Sequence, residues 1–162
     1  MYRVSFTGYR PKKLPFGGED SPECAALKRR LAEEIASLAE RGASQFYTGM
    51  ALGVDTWAAE AVLRLKEQYS GITLTALLPC RGQESKWSAP DQERYHSILS
   101  RCDKVICIGE EYSDGCMQRR NRALVDICDI LVAVYDGKRG GTHSTVEYAK
   151  KIGRKTVIIP PV

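Results

Sequence analysis

Three short stretches carry the residue types that hold phosphate. Thr48-Gly49-Met50-Ala51-Leu52-Gly53-Val54-Asp55 and Asp136-Gly137-Lys138-Arg139-Gly140-Gly141-Thr142-His143-Ser144-Thr145 each place glycines just ahead of a helix-like pattern. The first turn of a helix offers unpaired N–H groups and the positive end of the dipole. Glycine lets an anion approach that backbone closely. Gly49, Met50 and Gly53 therefore predict one half of a phosphate cradle, and Gly140, Gly141 and Thr142 the other, with hydroxyls from Ser144 and Thr145. Neither turn has Walker A or Gly-x-Gly-x-x-Gly spacing. In the third stretch, Thr7-Gly8-Tyr9-Arg10-Pro11, Arg10 can clamp a phosphate with two parallel bonds, and Pro11 stiffens its loop.

Other residues have a chemical and a plainer reading. Arg120 is a second guanidinium for an anion, or one member of a solvated basic face with Arg119 and Arg122. Asp55 can bond a ribose hydroxyl or satisfy first-turn N–H groups. Glu60, facing a cleft, would stabilise an oxocarbenium-like state in glycosidic cleavage; otherwise it is a helix-surface acid. Trp87 and Tyr95 offer faces on which a base can stack. Trp57 reads as core or as a dimer seam, and Cys107 and Cys128 as small core hydrophobes. His143 next to Gly140-Gly141 could touch phosphate.

The elements that must position these residues alternate. Strand-like runs cover 3–7, 45–48, 72–78, 104–108, 130–135 and 156–159. Helical patterns cover 22–41, 54–70, 90–101, 114–128 and 142–152. Ser21-Pro22-Glu23 is an N-cap, a first-turn proline and a first-turn acid. Six strands alternating with five helices predict a Rossmann-like three-layer α/β sandwich with a mostly parallel sheet. In such a sheet ligands sit beyond the carboxyl ends of the strands, where all three phosphate-type stretches fall.

Composition narrows the function classes. The chain has 162 residues, 43% hydrophobic and 27% charged, and is expected to form one domain spanning 1–162. The net charge of +4 suits an anionic small ligand and makes nucleic acid an improbable partner. No apolar run approaches the ~20 residues of a membrane helix. The opening residues show no signal-peptide pattern, so cytoplasmic location is expected. Six cysteines without a Cys-x-x-Cys pair read as reduced thiols, and two histidines offer no metal-ligand spacing. No cofactor or metal is required, although Mg²⁺ could accompany a bound phosphate.

The Thr48–Asp55 turn resembles the Ser-Gly-x-Ala-x-Gly-Ile-Asp turn of the DNA-processing protein DprA. Arg120, Asp129, an apolar strand and Gly140-Gly141-Thr142 follow the order of the LOG cytokinin-activating phosphoribohydrolases. Together these resemble the SLOG superfamily. Thr7–Pro11, Trp57-Ala58-Ala59-Glu60 and Glu84-Ser85-Lys86-Trp87 are similar to its YpsA-like branch. The resemblance implies a Rossmann-like domain that binds a nucleotide or an NAD-derived molecule such as ADP-ribose, as a homodimer. It departs from the LOG enzymes at Glu147, which stands two residues beyond the expected acid and is thereby turned by about 200° on a helix. The favoured expectation is a nucleotide-binding sensor or regulator. The first alternative is a nucleotide N-glycosidase using Arg120 with Glu60 or Glu147, and the second is DprA-like single-stranded DNA binding.

Overall fold

In the computed structural model, residues 2–162 are described. The alternating pattern becomes β1 (Tyr2–Gly8), α1 (Pro22–Glu40), β2 (Ala43–Thr48), α2 (Val54–Lys66), β3 (Thr73–Leu78) and α3 (Ala89–Arg101). It continues as β4 (Lys104–Cys107), α4 (Cys116–Ile127), β5 (Ile130–Val134), α5 (Gly141–Lys151) and β6 (Lys155–Ile159). The strands form one sheet in the order β4-β3-β2-β1-β5-β6, and every neighbouring pair is parallel. The Rossmann-like expectation stands, with a sheet that is parallel throughout.

Local chemistry sets the helix ends. The Ser21 hydroxyl accepts from the Cys24 N–H at 3.2 Å and opens α1 ahead of Pro22. Ser88 caps α3 in the same way through Asp91. Helix α4 begins two residues later than its sequence pattern suggests. Gly115, at its N-cap, is left-handed with φ +78°, so α4 cannot run back through it to Asp114.

Neighbouring strand residues face opposite layers. A Cβ on Gly8 would lie 2.5 Å from Val54 of α2, whereas Ser5 Oγ donates to the Leu124 carbonyl of α4 at 2.6 Å. Helices α1, α2 and α3 thus cover one face, and α4 and α5 the other. Phe6 and Phe46 stack on the first face, and Leu27, Leu31, Ile35, Leu38 and Leu74 are fully buried in the core. Each such side chain stabilises the fold by roughly 1.5–3 kcal/mol. Tyr47, Leu77 and Leu124 form a smaller cluster under α4.

The edge strand β4 is exposed along its whole length. Val105 and Ile106 keep 46% and 42% of their surface. Cys107 is therefore exposed too, unlike Cys128; the periodicity that marks a strand does not reveal that no helix covers it.

Candidate functional site

Chain direction across the sheet reverses at β1: β2 and β3 lie on one side of it, β5 and β6 on the other. A crevice must open at the carboxyl ends of β1 and β5, because their connections leave towards opposite faces. A cleft of about 560 Å³ lies there. Its walls are Thr7 to Arg10 after β1, Lys12 and Lys13 of a single 3-10 turn, Ala51 and Asp55 near the start of α2, and Gly141 and Thr142 of α5. The remaining wall is Tyr112 to Ser113 and Gly115 to Met117 with Gln118, Arg120 and Asn121 of α4.

Two guanidinium groups define its chemistry. Arg120 is only 3% exposed. Its Nη1 donates to the Gly49 carbonyl at 2.5 Å and its Nε to Asn121 Oδ1 at 3.0 Å, while Nη2 reaches only the Met117 Sδ at 3.8 Å. Arg10 Nη2 reaches the same sulfur at 3.8 Å. The two Nη2 atoms are thus no farther apart than twice that distance, with a weak thioether acceptor between them. Burial pulls the Arg120 pKa down, opposed chiefly by Asp55, and Arg10 pulls it down further. The group remains charged because arginine starts so far above neutrality.

Asp55 is buried and accepts from the Ala51 N–H at 3.2 Å. Burial pushes its carboxyl pKa up, and Arg120, Ala51 and Arg10 pull against it. Asp55 thus lines the cleft and holds the turn ahead of α2, while the first-turn N–H groups of the helix receive no side-chain cap. Lys13 Nζ stands 5.7 Å from the Tyr9 ring centroid and close against Gly140, where a Cβ would come within 2.5 Å of it. The Tyr9 hydroxyl donates to Asp136 Oδ1, tying the β1 loop to the β5 loop. Burial, then this bond, raises the tyrosine pKa, and the same bond lowers that of Asp136.

The Thr48–Asp55 turn differs from the cradle expected of it. Met50 N–H donates to Thr48 Oγ1, Ala51 N–H to Asp55 and Val54 N–H to the Tyr9 carbonyl, so these amides are taken by the protein. Met50 is fully buried with φ +57° and does not line the cleft. Gly49 is needed for another reason: a Cβ there would lie 2.6 Å from Arg120 Nη1. At Gly53, φ is +88° and a Cβ would meet the Tyr9 carbonyl at 2.7 Å. Both glycines let neighbouring groups close on the turn.

The second Gly turn borders the cleft directly. Gly141 and Thr142 line the cleft, and a Cβ on Gly141 would meet open space. The N-caps of α4 and α5 are Gly115 and Gly140, neither with a side-chain cap. Gly140, Ser144 and Thr145 line an adjoining groove of about 690 Å³ with Arg119, Arg122 and Tyr148. Gly115, Gln118, Asn121 and Gly141 border both spaces.

Five further expected residues, Glu60, Trp87, Tyr95, His143 and Glu147, lie elsewhere. Glu60 is held by Arg94 at 2.6 and 3.0 Å, and Arg94 also clamps Glu19. This network draws α2 and α3 to the loop before α1 and keeps Glu60 off the cleft. Glu147 is exposed, 3.9 Å from Lys150. Trp87 packs edge-on against the buried Tyr95, beside a small cavity that Trp57 and Arg94 also line. His143 does not line the cleft, and its Nδ1 is buried without a partner. Among the cleft residues that sequence reasoning passed over are Lys12, Lys13, Tyr112, Cys116, Met117 and Asn121. Only the lysine pair in the Pro- and Gly-rich loop gave a signal.

The description of the YspA SLOG family matches residues 4–158 of this chain. The chain belongs to the YpsA (YspA SLOG) family. An UPF0398 protein of Halalkalibacterium halodurans is 34% identical over 93% of the chain and 82% of its own length. One of Bacillus cereus is 31% identical over 94% and 85%. Among solved structures, DNA processing protein A from Helicobacter pylori, described for its single-stranded DNA binding mode, superposes with TM-score 0.68 at 20% identity. The YpsA-family chain is covered to 98% there but spans 65% of that protein, just under two thirds. The structural-genomics target TM1055 gives 0.60 at 19% identity, covering 96% of the chain and 72% of the target. At these identities the structural likeness establishes the shared Rossmann-like fold.

Proposed function

We propose that this YpsA-family protein binds a phosphate-bearing nucleotide or nucleotide derivative of the ADP-ribose kind, as a sensor or regulator. The observation that carries the reading is the convergence of Arg10 and Arg120 on one thioether. Two like charges at that spacing repel by about 2 kcal/mol at an effective dielectric of ~20, less what solvent screens around exposed Arg10. A phosphate between them turns that cost into two charge-assisted bonds. Lys12, Lys13 and the uncapped first turns of α4 and α5 extend the positive field.

The base would stack on Tyr112, which is 73% exposed at the cleft mouth, since Trp87 is packed away. The homodimer belongs to the same proposal. β4 is bare on both faces with a single lysine at its start, and a second copy paired along it would cover Val105 and Ile106.

A hydrolytic reading keeps one support, the buried Asp55 carboxyl in the cleft wall. Thermal unfolding against AMP, ADP-ribose, NAD, cyclic nucleotides, ribose phosphates and an oligothymidylate, with and without Mg²⁺, tests these readings together. A shift with a mononucleotide or ADP-ribose and no released base supports binding alone. Released base, lost in Asp55→Asn, moves the protein to the hydrolases. A shift with the oligonucleotide alone, falling steeply with salt, would favour DNA binding.

A further inference from the structure

Beside the cleft lie cysteines that the ligand reading does not use. Helix α4 packs across β3 and runs against it, with Leu124 on Leu77. Cys80 follows the carboxyl end of β3 by two residues, and Cys116 is the first residue of α4. The two residues therefore end at the same level, on the carboxyl edge of the sheet. Cys116 is close enough to Cys80 to help raise its thiol pKa, and Arg120 is close enough to act on both. Cys107, opposite Leu78 in the β3–β4 register, completes the neighbourhood on the exposed edge.

These thiols do not constitute a metal centre: among the described residues no group of His, Cys, Asp and Glu is arranged to hold an ion. Both are buried, with Cys116 only 2% exposed, but Cys116 alone borders the cleft, next to Met117, and is the one a small solute there can reach. Cys80 is 1% exposed and does not line the cleft, and burial pushes its thiol pKa up.

We propose that Cys80 and Cys116 form a reversible disulfide in response to a hydroperoxide, and that the bond shuts the cleft to its ligand. The Cys116 thiolate attacks one peroxide oxygen, the O–O bond breaks, hydroxide leaves and a sulfenic acid remains. The Cys80 sulfur then attacks the Cys116 sulfur, and the S–S bond forms as the sulfenic oxygen departs as water. Two thiols lose two electrons and hydrogen peroxide becomes two waters. The new bond ties the first residue of α4 to the β3 loop. Met117 is the next residue and Arg120 is one turn on, so the anion-binding pair is displaced. That consequence rests on the nucleotide reading; the bond itself does not.

The experiment treats the full chain with hydrogen peroxide, counts free thiols and maps the linked peptide by mass spectrometry. Wild-type protein should lose two of its six thiols and about 2 Da. The linked peptides should contain Cys80 and Cys116, and dithiothreitol should restore both thiols. Cys107→Ser should behave as wild type, and Cys80→Ser should form no intramolecular bridge. Amide exchange over residues 114–118 should slow when the bond forms. ADP-ribose binding should fall in oxidised wild type and persist in peroxide-treated Cys80→Ser. Six surviving thiols, or a bridge through Cys107, would overturn the proposal. A Cys80–Cys116 bond with unslowed exchange and unchanged binding would overturn the gating. A reduced protein that binds no ADP-ribose counts against the nucleotide reading, while the peptide map and exchange still decide the bond.

Discussion

Arg120 is the residue on which the site turns, and its surroundings make separable predictions. Its Nη1 bond to the Gly49 carbonyl is backed by Gln83 Nε2, which donates to the same oxygen at 3.1 Å. Arg120→Met should therefore keep the fold while losing the ligand-induced rise in melting temperature. A melting temperature unchanged with or without ligand, in a protein of normal circular dichroism, is the expected result. Gly49→Ala forces a methyl against the guanidinium and should destabilise by about 1–3 kcal/mol. Most of that cost should vanish in the Gly49→Ala/Arg120→Ala double variant, measured by urea unfolding; an additive pair would mean that Gly49 is there for another reason. Tyr112→Ala should weaken nucleotide binding by about 1–3 kcal/mol if the base stacks there. The place of Arg10 at the cleft was legible because it follows β1 directly, whereas Arg120 carried two readings until its burial in the cleft wall excluded a solvated face. Gly49 was legible as a required glycine but its neighbour was not, since Arg120 stands 71 residues away in sequence. Met117 was illegible for the same reason: nothing in a helical Met announces two arginines.

At the scale of elements, what matters is how α1, α2 and α3 are tied together. Arg94 bridges Glu60 of α2 and Glu19 of the loop before α1, and Lys28 adds a further bond to Glu19. Arg94 above all, against the cost of burial, lowers the Glu19 pKa from 4.5 to about 2. The folded state thus holds fewer protons than the unfolded state between those values. The stabilisation is complete above pH 4.5 and is lost as pH falls towards 2. Glu19 is partly exposed, so solvent keeps the effect modest. Arg94→Met should flatten the dependence of melting temperature on pH over that window; an unaltered slope would show that other carboxylates dominate it. Helix starts at Ser21 and Ser88 were readable because capping is local chemistry. Glu60 was not placeable from sequence, because its partner Arg94 lies on a different helix.

For the whole molecule, the parallel sheet and the cleft at the reversal of strand order follow from strict alternation of strands and helices. The order β4-β3-β2-β1-β5-β6 makes the connection from β4 to β5 pass over β3, β2 and β1, across the face that α4 covers. That crossing brings Arg120 over Gly49. The sequence could not show which strand would lie bare at an edge, and so β4 and its Cys107 differ from expectation. An uncovered Val105-Ile106 pair predicts self-association. Light scattering should give twice the chain mass, and Ile106→Lys should return it to one; a monomer at micromolar concentration would remove β4 from consideration as a dimer surface.

The most direct test is thermal unfolding of reduced wild type and Arg120→Met with the same nucleotide panel. At 100 times its dissociation constant a ligand should stabilise the wild type by about 2.7 kcal/mol. That rise is expected for at least one phosphate-bearing nucleotide in wild type, and no rise in Arg120→Met. An equal rise in both proteins, or none in wild type, would contradict this expectation.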